Sequence, residues 1–248
     1  MQRTLYSQFD RKPDFVTSGE SIGYVLECED TREYFESGEL LEFSLVLFGK
    51  TIVYFNQFLQ ALHQLGAYGI GKDRARFKIV SIANTRNQQI LEKNNIYMER
   101  YQVECVRDYV RQRLAQLGTS EGAVYTMHFM TPLTVKYHGE FVQEFQTEPI
   151  LLAAMRRIYM LDCFENIDGE SYYRKELNIP RRLEQRAFSC SVPRVSFRKN
   201  KKMVLKGIRG QMTFTEAFEE EFALLLAGEL VHIGKHTSFG FGKYRITK

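Results

Sequence analysis

A chain of 248 residues, 44% hydrophobic and 26% charged, with only 17 glycines and 5 prolines, can bury a core along most of its length, which excludes a disordered or fibrous protein. Its net charge is +4, but residues 181–209 carry ten basic side chains against Glu184 and hold +9 of it, leaving −5 for the rest. No apolar run approaches the roughly 20 residues that cross a bilayer, and the N-terminus MQRTLYSQFDRKPDF lacks the apolar core of a secretory signal, so a cytoplasmic protein of two domains with no membrane partner is expected.

The N-terminal half begins with about 20 polar-rich residues. Strands are then expected near Ser21–Cys28 and Leu40–Phe48, a helix from about Ile52 to Leu65, a glycine-rich loop, and a strand at Arg76–Ile82. Val106, Val110, Leu114 and Leu117, spaced four or three apart, predict a linking helix that ends at Gly118. The boundary is placed at about 118–123, dividing a partial module (1–118) from a complete one (119–248).

In the second half, VYTMHFMTPLTVKY (124–137) is rich in β-branched and aromatic residues and reads as a strand. EPILLAAMRRIYMLDCFENI puts Ile150, Leu151, Ala154, Met155, Ile158 and Leu161 at helical spacing. Residues 187–214 read as two strands joined by a turn at Lys199-Asn200-Lys201, a basic β-hairpin. A second helix follows, capped by Thr215 and striped by Phe218, Phe222, Leu225 and Leu226, and then a glycine-rich loop and a strand at Lys243–Thr247. The order is β-α-β-β-α-β, an α+β fold of the ferredoxin-like or RRM-like type. The first half repeats its last four elements, so the fold class is tandem ferredoxin-like modules with the first lacking its opening strand and helix.

The four cysteines, Cys28, Cys105, Cys163 and Cys190, lie at least 27 positions apart with no zinc-ligand spacing. They are read as reduced, mostly buried thiols, and neither metal nor cofactor is expected.

The loops LGAYGIGKDRARFKI (65–79) and HIGKHTSFGFGKYRI (232–246) occupy matching places after a helix, each with a Gly-Lys pair. Glycines permit close backbone approach, and successive N–H groups make a cradle for phosphate oxygens; the plain alternative is a tight helix-to-strand turn. Gly66 to Lys72 also satisfies GxxxxGK, but Asp73 stands where the magnesium-ligating hydroxyl belongs and a helix, not a strand, precedes the loop. That nucleotide-binding reading is set aside.

Gly234-x5-Gly240-x-Gly242, with an aromatic residue between the last two glycines and a basic one after them, resembles the C-terminal loop of the CRISPR-associated endoribonucleases of Cas family six, in the RAMP superfamily. Phe43-Ser-Leu-Val-Leu-Phe-Gly49, the LGxxGxG within Tyr54–Gly71, Phe129-Met-Thr-Pro-Leu133 and Leu205-Lys-Gly-Ile-Arg-Gly210 extend the resemblance over most of the chain from Ser21. Two departures stand out: His232 occupies a place that is often glycine in the family, and the absent opening unit of the first module is where related enzymes usually carry a catalytic histidine. The catalytic group then lies elsewhere, in a partner, or in a segment this chain lacks.

The resemblance implies a metal-independent cut in CRISPR repeat RNA, by attack of the ribose 2′-hydroxyl on the adjacent phosphate, leaving 2′,3′-cyclic phosphate and 5′-hydroxyl ends. Such chemistry needs a base, an acid and cationic donors. Of the five histidines, His63 and His232 read as structural, while His128, on the open side of its strand, and His138, just past it, are the catalytic candidates. The RNA-binding candidates are Arg194, Arg198, Lys199, Lys201, Lys202 and Arg209 of the hairpin, with Gly234, Lys235, His236, Ser238, Gly240 and Gly242 of the loop. The rival reading is a non-catalytic RNA-binding subunit of a CRISPR effector complex; repeat RNA, and other effector subunits, are the expected partners of a monomer or homodimer.

Overall fold

The computed structural model describes residues 23–30, 32, 34–71, 73–92, 95–118, 120, 122–167, 176–196, 201–215 and 218–248. Two compact units divide them: residues 51–105, and the stretch up to Lys50 together with residues 106–248.

In the second unit, β1 (Tyr24–Glu27) and β2 (Ser44–Leu47) form an antiparallel pair, with Val25 against Val46. Both fall within the spans expected from sequence.

The unit of residues 51–105 holds α1 (Phe55–Tyr68) and a three-stranded antiparallel sheet of β3 (Ile82–Ala83), β4 (Gln89–Glu92) and β5 (Asn95–Ile96). The expected strand over Arg76–Ile82 is absent except for its last residue. Instead the chain doubles back tightly after α1: Ile70 and Ala75 form a single bridge, and the Phe77 amide donates to Gly66 O at 3.1 Å. The first glycine-rich loop is therefore a tight turn. A β-carbon at Gly69 would stand 2.1 Å from Arg74 O, so side chains are excluded by backbone proximity.

In the second unit, α2 (Val106–Leu117) ends at Gly118, as its spacing predicts. The module that follows runs β6 (Tyr125–Leu133), a small hairpin of β7 (Lys136–Tyr137) and β8 (Glu140–Phe141), α3 (Thr147–Phe164), β9 (Arg181–Ser196), β10 (Lys201–Thr215), α4 (Glu219–Val231) and β11 (Tyr244–Thr247). Its four-stranded sheet has the order β11-β6-β10-β9, with every pair antiparallel. This is the ferredoxin-like arrangement expected from the β-α-β-β-α-β order. The Lys199-Asn200-Lys201 turn lies largely outside the described residues.

Period-two patterning positions the sheet. Tyr125, Met127 and Phe129 of β6 are buried, while Thr126 and His128 between them are only half-buried. Met127, Phe129, Ile208, Met212, Phe214, Tyr244 and Ile246 join Ile150, Leu151 and Ala154 of α3 and Phe222, Leu225 and Leu226 of α4 in one core. The helices thus cover one face and leave the other to solvent.

A buried ion pair locks the module's last elements. Arg113 of α2 meets Glu229 of α4 at 2.8 Å and donates to Ile246 O at 2.6 Å; Glu229 also accepts from the Ile246 amide and the Tyr109 hydroxyl. Burial and the neighbouring Glu229 carboxylate push the Tyr109 phenol well above its ordinary range, so it remains a donor.

Two local expectations are corrected. Thr215 ends β10 rather than capping α4, and its hydroxyl donates to Ala123 O at 2.8 Å. The α4 N-cap is Phe218, whose backbone carbonyl accepts from the Phe222 amide. Of the cysteines, only Cys163 is buried; Cys28 and Cys105 are exposed and Cys190 is intermediate, because three of them fall outside the α3 and α4 faces that build the core.

Candidate nucleic-acid interface

The loop joining α4 to β11 is held from within. The amides of Ile233, Lys235, Phe239, Gly240, Phe241 and Gly242 all donate to backbone carbonyls, including Lys235 to Thr134 O and Gly242 to Pro132 O, each at 2.8 Å. The Lys243 amide donates to the Thr131 hydroxyl at 2.9 Å. The expected amide cradle is thus mostly engaged in building the loop. What the loop offers outward is side chains.

Gly240 and Gly242 serve close packing. A β-carbon on Gly242 would stand 1.9 Å from Ile233 O, and one on Gly240 would stand 2.5 Å from Leu26 O of β1. The glycine spacing therefore records where two backbones touch.

Strand β1 supplies the loop's counter-charges. His232, fully buried, has Nδ1 3.0 Å from Phe241 O and Nε2 2.7 Å from Glu27 Oε1. Lys243 Nζ reaches Glu27 Oε2 at 2.9 Å and Glu29 Oε1 at 2.7 Å. Burial pushes the Glu27 carboxyl upward, but the hydrogen bonds from His232 and Lys243 outweigh it and hold it below its ordinary range. A cavity of about 390 Å³ on this flank is lined by Glu27, Glu29, Asp30, Glu42, Phe43, Ser44 and Lys243. Its acidic lining repels a polyanion.

The opposite flank is cationic. Arg194 of β9 lays its guanidinium over the Phe239 ring, 4.1 Å from the centroid, and Lys235 is exposed beside it. His236, in the left-handed region at φ 65°, packs against Phe239 and Phe241. Burial, then Lys235 and Arg194, lower its pKa, so the imidazole is neutral near pH 7. Hairpin and loop, separate in sequence, meet here.

Residues 127–244 match the model of the CRISPR-associated endoribonuclease Cas6 family. The chain carries a Cas6-family domain. Residues 7–107 match a second model, described as an N-terminal domain. The fold is similar to a chain in a partial Cas6-RT-Cas1–Cas2 complex, at 10% identity and TM-score 0.59, covering 91% of this chain and 39% of that one. A Cas6-RT-Cas1–Cas2 complex gives the same identity, TM-score and coverage of this chain, which there spans 24% of its counterpart. A Cas6 product complex matches at 15% identity and TM-score 0.50, covering 91% of this chain and 85% of that one. The chain thus spans well under half of the first two, and at these identities the likeness is one of fold, the tandem ferredoxin-like fold. No curated protein sequence matches significantly.

Within the Cas6 domain the sequence-derived residues divide by place. Arg194, Lys235, His236, Ser238, Gly234, Gly240 and Gly242 come together at the loop, with Ser238 and the last two glycines buried. Lys202 is exposed on β10; Lys201 begins that strand, and Arg198 and Lys199 lie outside the described residues. Arg209 sits at a bulge in β10 and donates to Met130 O at 2.5 Å. His128 lies on the sheet's open face with Nε2 3.3 Å from the Thr247 hydroxyl. His138 stands exposed in the β7–β8 turn at φ 45°, its ring edge-on to Tyr137. Sequence reasoning did not nominate Phe239, although its place between loop glycines was the available signal. Among the described residues no helix is long and apolar enough to cross a membrane.

Proposed function

We propose that this chain is an endoribonuclease that processes CRISPR repeat RNA without a metal ion. The carrying observation is that the Cas6 match falls on a module whose cationic ribbon and glycine-rich loop meet at Arg194 and Phe239. The ribose 2′-oxygen attacks the adjacent phosphorus as a base takes its proton, the bond from phosphorus to the 5′-oxygen breaks, and an acid protonates that oxygen. The products are 2′,3′-cyclic phosphate and 5′-hydroxyl ends. His128 and His138 are the candidates for proton transfer, while Arg194, Lys202, Arg209 and Lys235, with Arg198, Lys199 and Lys201, hold phosphates. The similar chains in Cas6-RT-Cas1–Cas2 complexes support other CRISPR proteins as partners.

A second reading, a non-catalytic RNA-binding subunit, is favoured by the surroundings of the two histidines. His128 contacts a hydroxyl and His138 a phenol ring, rather than a second acid or base. Incubation with repeat RNA in EDTA separates the readings. Cleavage that leaves a cyclic phosphate is the expected outcome; tight binding of RNA that stays intact would establish the second reading instead.

A further inference from the structure

The open face of the Cas6-domain sheet carries a feature that neither the loop nor the basic hairpin turn accounts for. Across β6, β10 and β9, His128 pairs with Gln211 and Gln211 with Arg186, so these three side chains form a row on one face. Two residues along β9 on the same face stands Phe188, 67% exposed, and directly opposite it on β10 is Arg209. A phenyl ring this exposed in the body of a strand gains nothing from the core, which lies on the other face. Its neighbours on that face are Arg186, Arg209, Gln211 and the Cys190 thiol, not the cluster of apolar side chains a protein partner's docking site would gather.

The geometry points to a stacking platform for an unpaired RNA base at Phe188, with Arg186 and Arg209 on the flanking phosphates and Gln211 and His128 toward base or ribose edges. Every base presents a π face, so a lone exposed ring between cations suits single-stranded nucleic acid without strong sequence demands. A duplex hides its base faces and leaves Phe188 nothing to stack on. This inference rests on the proposed repeat-RNA function and adds to it a site for nucleotides outside the paired stem. On β9 the same face continues through Cys190 and Val192 to Arg194, which covers Phe239. Strand β9 thus leads from the platform to the loop.

The chain contains no tryptophan, so Phe188→Trp introduces a single tryptophan at the platform, excited selectively beyond the absorption of the 14 tyrosines. Titration with an unpaired repeat fragment should quench that fluorescence, whereas a blunt duplex of the repeat stem, with no unpaired bases, should leave it unchanged. A control tryptophan at the exposed Phe218 should report neither RNA. Phe188→Ala should weaken binding of the unpaired fragment roughly tenfold, with binding of the stem duplex unchanged and Phe188→Tyr close to the parent. Unquenched fluorescence, with Phe188→Ala binding unpaired RNA as the parent does, would overturn the platform while leaving the repeat-RNA function standing. Failure of the parent protein to bind any repeat RNA would remove both.

Discussion

His232 and His236 sit four residues apart in left-handed backbone, at φ 58° and φ 65°, yet they do opposite things. Both ring nitrogens of His232 are engaged inside the loop, Nδ1 with Phe241 O and Nε2 with Glu27 Oε1. The strain of a side chain at this positive φ is offset by those two bonds. His236 faces cations instead, and burial together with Lys235 and Arg194 keeps it neutral. A phosphate bound beside it would raise its pKa, so the complex takes up a proton that the free protein lacks. Affinity for repeat RNA should therefore strengthen as pH falls from about 8 toward 5, and His236→Gln should flatten that dependence when dissociation constants are measured across the range.

At the scale of elements, the proposed phosphate contacts divide between the β9–β10 ribbon and the α4–β11 loop. The ribbon's charge was evident from ten basic residues in 29 positions, and its pairing from Arg181 opposite Thr215 to Ser196 opposite Lys201 realises the expected hairpin. Replacing Arg194, Lys201 and Lys202 by alanine should weaken RNA binding and flatten its salt dependence together, by up to about one unit of log-log slope for each phosphate left without its cation. An unchanged slope in a salt titration would place the phosphates elsewhere. The strand expected at Arg76–Ile82 failed because β propensity needs a neighbouring strand to pair with, and there the chain returns to Gly66 instead. Thr215 failed as a cap for a similar reason: its hydroxyl is satisfied by Ala123 O, across the module.

At the scale of the whole molecule, β1 reaches over some 200 residues of chain to brace the Cas6-domain loop. Glu27 bonds both His232 and Lys243, and its carboxyl is held below its ordinary value near 4.5. A depressed carboxyl contributes stability that is fully present above the ordinary value and is lost as pH falls through the lowered one. Glu27→Gln should remove that acid-side decline in thermal unfolding curves and lower stability near pH 7 by about 1.5–3 kcal/mol, the scale of a hydrogen bond to a charged group.

The sequence by itself determined what depends on local spacing. Alternation in β6, helical periodicity in α2, α3 and α4, and the run of basic residues were enough for the ferredoxin-like order and the cationic hairpin, because period and charge are properties of neighbouring residues. The tertiary structure alone decided what depends on distant backbones meeting. Gly240 is glycine because Leu26 O lies against it, Lys243 is neutralised by Glu27 and Glu29, and Arg194 is aimed at Phe239. Such meetings are set by how the layers pack, and no local pattern in the chain encodes which carbonyl or carboxylate will arrive.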